Sequence, residues 1–279
     1  LYDGSQTAII NLNDVRKGDI VEYAFTRKGN NPVYSGHISR TIYFDYNVSY
    51  EKSYKRIVLP AAKAQTLKFP NGDELEYEKE VSGNTVSYTW KLERVKGVIN
   101  DKNLPEWYDP YRHVMLTDFK SWQEVAVWAD GLFAVTKADQ TKISALAKST
   151  FSEGELTQYA LQVIRFVQDE VRYLGFETGL NSHKPHAPLK VYEQRFGDCK
   201  DKSLLLVTLL RARNIEAYPV LVSTTLRDKV ADRLPAANLF NHCVVKFILG
   251  DKPFFIDPTI SNQGGETGKI VVSGDYKVS

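Results

Sequence analysis

The chain has 279 residues, 43% of them hydrophobic and 25% charged, the proportions of a globular protein able to bury a real core in one large or two ordinary domains. With 36 basic against 34 acidic residues the net charge is +2, so the charge balance points to neither a nucleic-acid nor a membrane-surface partner. The two cysteines are too few for a disulfide framework, and no Cys-x-x-Cys pair, glycine-rich phosphate loop or bilayer-length apolar stretch is found.

The chain starts at Leu1 without an initiator methionine. It is expected to be a processed or trimmed piece, so its lack of a signal peptide carries no information about compartment. From Asp19 to about Val95 the pattern predicts strands. Ile42, Phe44, Tyr46 and Val48 alternate with polar or aromatic neighbours, and Val86, Tyr88, Trp90 and Leu92 alternate with Ser87, Thr89, Lys91 and Glu93. Asn71-Gly72 has the composition of a tight hairpin turn, and "KGNNPVYSG" that of a loop. Strands at this spacing predict an antiparallel sandwich or meander. His37, beside loop glycine and serine, reads as an exposed surface histidine.

The pattern changes near Asn100. "NDKNLPEWYDPYRHVMLTDF" reads as a connector lying on a surface. "SWQEVAVWADGLF" predicts a short helix with Ser121 as N-cap and Glu124 in capping-box position. Trp122, Val125 and Trp128 fall on one face of it, which assigns both tryptophans to core or domain-interface packing. In "ELTQYALQVIRFVQDEVRYL" the residues Leu156, Ala160, Val163, Val167, Val171 and Leu174 recur every three or four positions, an amphipathic helix with one buried stripe.

A loop rich in glycine and proline follows, with His183 and His186 three apart. No carboxylate or thiol stands near them in sequence, so lining a substrate cleft is a better reading than binding a metal. A second helix is predicted from about Cys199 to Arg213, apolar over more than one face and therefore central. Three strand-like segments come next: "AYPVLVST", "NHCVVKFIL" and "PFFIDPT". Between the first two, "RDKVADRLPAANLF" is a polar excursion that could cover a cleft. The glycine-rich end, from Gln263, supports no assignment.

Cys199 carries the chemistry. A packing cysteine favours the middle of an apolar run, whereas this one precedes such a run in "GDCKDKSLLL", with Asp198 placed as N-cap. A helix N-terminus supplies partial positive charge and unsatisfied N–H groups, which stabilise a thiolate and can hold the oxyanion it generates. A thiolate nucleophile needs an imidazole, and the imidazole needs a group to orient it. His242 lies at the start of one downstream strand and Asp257 at the end of the next. If those strands are antiparallel neighbours, the two residues meet at one sheet edge facing Cys199. Cys243 adjoins His242 on the strand, so alternation sends its side chain to the opposite face, as core packing.

Together "VIRFVQDEVRYLGFE", "RFGDCKDKSLLLVTLLRARNIEAYPVLVST", "FNHCVVKF" and "FFIDPT" resemble a bacterial transglutaminase-like domain, over residues 151–260. "VRKGDIVEYAFTRKGNNPVYSGHISRTIYF" resembles the β-rich domain of unknown function that often precedes such domains. The resemblance implies an α+β protein: an antiparallel β-sandwich-like domain over residues 1–115, incomplete at its N-terminus, then a papain-like, transglutaminase-like α+β domain over residues 116–279. It implies a Cys199–His242–Asp257 triad working on amide or peptide bonds through a thioester, with no metal or organic cofactor. It also implies a bacterial cell-envelope or periplasmic setting.

Two functions follow from these residues. The first is a cysteine enzyme, a protease or amidase in preference to a protein-crosslinking transamidase, since no feature marks an amine site. The second is a catalytically silent module that binds a peptide, glycan or partner protein through its β-rich half.

Overall fold

The computed structural model describes residues 7–63, 66–72, 74–101, 103–152 and 154–263. Those on which the glycine-rich end falls, from 264, lie outside this range.

The N-terminal half folds into antiparallel strands β1 (Ser39–Tyr43), β2 (Tyr50–Pro60), β3 (Thr66–Lys68), β4 (Glu78–Ser82), β5 (Thr85–Val95) and β6 (His113–Thr117). They form two sheets, ordered β1-β6-β3 and β2-β5-β4. One core joins the sheets: Val114 and Leu116 from the first, Phe44 directly after β1, and Leu59, Val86, Tyr88 and Trp90 from the second. This is the sandwich-like packing that the alternation predicts.

Four local expectations change. Residues 19–31 form no strand, and Ile20, Tyr23 and Phe25 are exposed; among the described residues no strand pairs with this segment. Asn71-Gly72 is not a hairpin turn, since β3 pairs with β6 and not with β4. The Asn71 side chain instead donates to the carbonyls of Asp109 and Tyr111. The hairpin joins β4 to β5 across Gly83-Asn84, where Gly83 takes a φ of 58°. The expected surface connector contains β6, buried along its whole length and paired on both sides. His37 is only partly exposed: its ring stacks on Phe119 with centroids 4.0 Å apart, and its Nδ1 lies 3.2 Å from Asp118.

In the C-terminal half, α1 (Trp122–Leu132) starts at Ser121, whose hydroxyl accepts from the Glu124 N–H. Glu124 reaches back one residue further than a capping box would, to the Lys120 N–H. Trp128 is buried and donates to the Val33 carbonyl at 2.8 Å, so it ties the two halves together. Helix α2 (Lys137–Thr150), capped by Thr136, has too thin an apolar stripe to stand out in the sequence; Ile143 and Ala147 are its buried residues. The next amphipathic segment forms α3 (Leu156–Arg165), then a π-helical turn, Phe166–Glu170. Its stripe is buried from Ala160 to Val171, while Leu156 and Leu174 at the two ends are exposed.

Short elements β7 (Arg172–Tyr173), α4 (Pro188–Gln194) and β8 (Phe196–Gly197) lead into α5 (Cys199–Arg211). Strands β9 (Ala217–Val222), β10 (His242–Leu249) and β11 (Lys252–Ile256) form an antiparallel sheet with β10 in the centre. Every residue of α5 from Cys199 to Leu210 is buried. The helix is wrapped by α2, α3, α4 and the sheet, as its apolar character on more than one face predicts.

Candidate active site

Cys199 is the first residue of α5, and the local sequence explains why the helix starts there. Asp198 has an extended backbone and its carboxylate accepts from the Asp201 N–H, while the Asp201 carboxylate accepts from the Asp198 N–H. This reciprocal capping box uses two aspartates. Gly197 is required beside it: a Cβ at that position would lie 2.6 Å from the Asp201 Cβ. The N–H groups of Cys199 and Lys200 belong to the first helical turn, which has no intrahelical acceptors.

The antiparallel sheet brings the other two residues to this helix end. β10 pairs with β9 from His242↔Val222 and with β11 up to Val245↔Ile256. His242 therefore opens β10 at the sheet end where β11 finishes, and Asp257 follows directly. His242 Nε2 lies 2.7 Å from Asp257 Oδ2. The other Asp257 oxygen accepts from the Thr259 N–H at 2.8 Å and from its hydroxyl at 2.7 Å. The imidazole shares one cleft with the Cys199 side chain, which acts on its titration.

Burial alone would lower the pKa of His242. The hydrogen bonds and charges of Asp257 and Cys199 outweigh it and push the imidazole up to about 10. Asp257 is held below its usual range: burial opposes ionisation, but His242 and Thr259 favour the carboxylate more strongly. Tyr173 is pushed up by burial and by the negative charge of Cys199, Glu177, Asp198 and Asp257, which places it beside the same centre.

Three more residues on α5 are buried and charged. Lys200 donates to the Asp198 carboxylate. Asp201 accepts from the His186 N–H at 2.7 Å and lies 3.1 Å from His186 Nδ1. Lys202 donates to the carbonyls of Gln168, inside the π-helical turn, and Val171, directly after it. Burial lowers Lys202 to about 8 in spite of Asp169 and Asp257. Gln168 in turn donates to the Asp257 carbonyl at 2.9 Å. The role of Lys202 and Gln168 has no motif in the sequence. The only sign is a lysine and a glutamine inside runs of buried residues.

Cys243 departs in part from its expectation. It is buried, but it shares one apolar cluster with Cys199, Phe133 and Leu204, because α5 crosses the sheet face that Cys243 presents. Both cysteines are free, and burial raises the Cys243 thiol well above its ordinary value. His183 and His186 do not act together: His183 lines the cleft, and His186 pairs with Asp201. Among the described residues no group of three or more His, Cys, Asp or Glu side chains is placed to hold a metal.

A cleft of about 320 Å³ opens onto Cys199 and His242, with Trp128, His183 and Phe240 among its walls. A larger hollow of about 960 Å³, between α1 and β9, holds none of the three site residues. Arg227, Asp228 and Val230 of the polar excursion line that hollow, and Asn238 and Phe240, further along, line the smaller cleft.

A central helix opening on a cysteine, packed on an antiparallel sheet that offers an imidazole–carboxylate pair, defines a transglutaminase-like α+β domain. Residues 144–258 match the family model of the transglutaminase-like superfamily, and residues 1–99 match that of the domain of unknown function DUF3857. The chain thus carries a DUF3857 domain followed by a transglutaminase-like core. Among solved structures it is similar to a "putative protease" from Parabacteroides distasonis, with a TM-score of 0.65 and 10% identity. That match covers 82% of this chain and 43% of the other, so the chain spans less than half of that protein, and the likeness is one of fold. A "putative cysteine protease" from Cytophaga hutchinsonii matches over 80% of this chain and 75% of its own, with 14% identity and a TM-score of 0.37. No curated protein matches the chain.

Proposed function

We propose that the chain is a cysteine enzyme that cleaves amide or peptide bonds, with Cys199 as nucleophile, His242 as general acid and base, and Asp257 as the group that orients the imidazole. The observation that carries this reading is the single imidazole that bonds Asp257 at 2.7 Å and lines one cleft with the thiol at the N-terminus of α5. In the reaction the thiolate attacks the carbonyl carbon, and the new C–S bond moves an electron pair onto the oxygen. The Cys199 N–H and the helix N-terminus stabilise that oxyanion. His242 gives its proton to the leaving nitrogen as the C–N bond breaks, which leaves a thioester. His242 then takes a proton from water as the water attacks, and the thiolate departs. An amine in place of the water would give transamidation. Hydrolysis is the preferred outcome because no feature of the cleft marks a site for an amine.

The test is the pH dependence of iodoacetamide labelling, resolved by peptide mass to Cys199, in the wild type and in His242→Ala. Labelling that stays fast well below the ordinary thiol pKa of about 8.5, and slows without His242, supports the enzyme. Slow labelling with an ordinary thiol profile in both proteins rejects it in favour of the binding module.

A further inference from the structure

The cleft at Cys199 is closed on one side by a residue from the other half of the chain, Tyr34. Tyr34 ends a short 3-10 turn, Pro32–Tyr34, that is fastened at three points. The Asn31 side chain donates to the Gly179 carbonyl at 2.6 Å and to the Ser182 hydroxyl at 3.0 Å. Trp128 donates to the Val33 carbonyl at 2.8 Å, and Val33 itself is buried. The Tyr34 ring is stacked on Trp128, with centroids 6.2 Å apart and planes 14° from parallel. His183 meets both rings edge-on, at 5.2 Å from Tyr34 and 5.5 Å from Trp128. Tyr34 and His183 remain partly exposed, toward the cleft that they line with Cys199.

Two charged side chains, Lys200 and Glu177, also line the cleft, away from the aromatic contacts of Tyr34, Trp128 and His183 with one another. The Lys200 ammonium is bonded to Asp198, and Glu177 is exposed. Burial and the Lys200 charge lower the His183 pKa, which favours the uncharged ring. The cleft volume, about 320 Å³, is at the lower end for ligand sites and is large enough for an aromatic side chain.

We propose that Tyr34, Trp128 and His183 form a subsite for an aromatic side chain next to the carbonyl presented to Cys199, and that Tyr34 gives the β-rich half a direct part in substrate choice. The position of the carbonyl rests on the reading of Cys199 as nucleophile; the aromatic subsite does not. The β-rich half is then a wall of the site and not an appended module.

The experiment is a calorimetric or NMR titration of the full chain carrying Cys199→Ala, which binds without reacting. The probes are N-acetyl-phenylalaninamide and N-acetyl-glycinamide. The phenylalanine probe is expected to bind about tenfold tighter or more. Adding Tyr34→Ala should weaken it about three- to tenfold, leave the glycine probe unchanged, and be reversed by Tyr34→Phe. Should Tyr34→Ala fail to fold by circular dichroism, Tyr34→Leu keeps bulk at the position, removes the flat face, and should weaken the phenylalanine probe alone. Equal binding of the two probes, or indifference of the phenylalanine probe to a folded Tyr34 variant, overturns the subsite. Failure of the nucleophile reading shows separately, as slow iodoacetamide labelling of the wild type.

Discussion

His242 and Asp257 stand 15 residues apart in the chain and 2.7 Å apart in space, joined across the end of an antiparallel pair whose last register is Val245↔Ile256. That contact sets the charge of the imidazole, and a measurable titration follows from it. The folded pKa of His242, about 10, lies above its ordinary 6.5. Its contribution to stability is complete below pH 6.5 and is lost as the pH rises through about 10. Ring-nitrogen NMR should find His242 protonated at pH 7.5 in the wild type and titrating at lower pH in Asp257→Asn. An imidazole that titrates near 6.5 in both would show that the pair does not hold the proton.

The two thiols should differ in reactivity. Cys199, 5% exposed, opens a helix and shares a cleft with His242, whereas Cys243 is 1% exposed and its thiol is raised by burial. Native protein at neutral pH should take one carboxamidomethyl group, on Cys199, and a second only in denaturant. Mass mapping of the labelled peptides reads this directly, and equal labelling of the two cysteines would contradict it.

Gly197→Ala should destabilise the protein. The added Cβ meets the Asp201 Cβ at 2.6 Å, and Asp201 is held in place by Asp198 and His186, so it has no free direction in which to yield. Overpacking of this kind costs about 1–3 kcal/mol, readable as a lower urea midpoint. Because the capping box positions Cys199, labelling of that thiol should slow as well.

Lys202→Met tests the support behind the site. It removes the donor to the Gln168 and Val171 carbonyls and leaves them buried without it, at a cost of about 1–3 kcal/mol at pH 7. The pH slope identifies the lysine. Its pKa falls from 10.5 unfolded to about 8 folded, so the unfolded chain binds more protons between those values. Through Lys202, wild-type stability rises from pH 8 to 10.5, opposite in sign to the His242 contribution, and the advantage over Lys202→Met should widen across that window. Urea unfolding of both proteins at pH 7, 8.5 and 10 measures it; a constant gap would mean that Lys202 does not titrate in the fold.

Much of the site was legible one residue at a time. Cys199 at the head of an apolar run, Asp198 before it, and His242 and Asp257 at opposite ends of successive strands could all be placed from local pattern. Lys202 and Gln168 could not, because what they satisfy is the carbonyls of Gln168 and Val171, at and after a π-helical turn, and the carbonyl of Asp257. Tyr34 was legible only as a loop residue. Strand β6 was missed because its neighbours β1 and β3 lie far away in sequence, and tertiary pairing outweighed the proline-rich segment before it.

By itself the sequence determined the alternation of β5, the amphipathic stripe of α3, the start of α5 and the chemistry its first residue can perform. These depend on interactions within a few residues: capping, periodicity and turn composition. Only the tertiary structure decided that the imidazole bonded to Asp257 lines one cleft with Cys199, that both faces of β5 are buried through Ser87 and Thr89, and that a tyrosine from the β-rich half forms a wall of that cleft. Such contacts require strand register and the docking of distant segments, whose free energy comes from burial shared among residues that no local window contains.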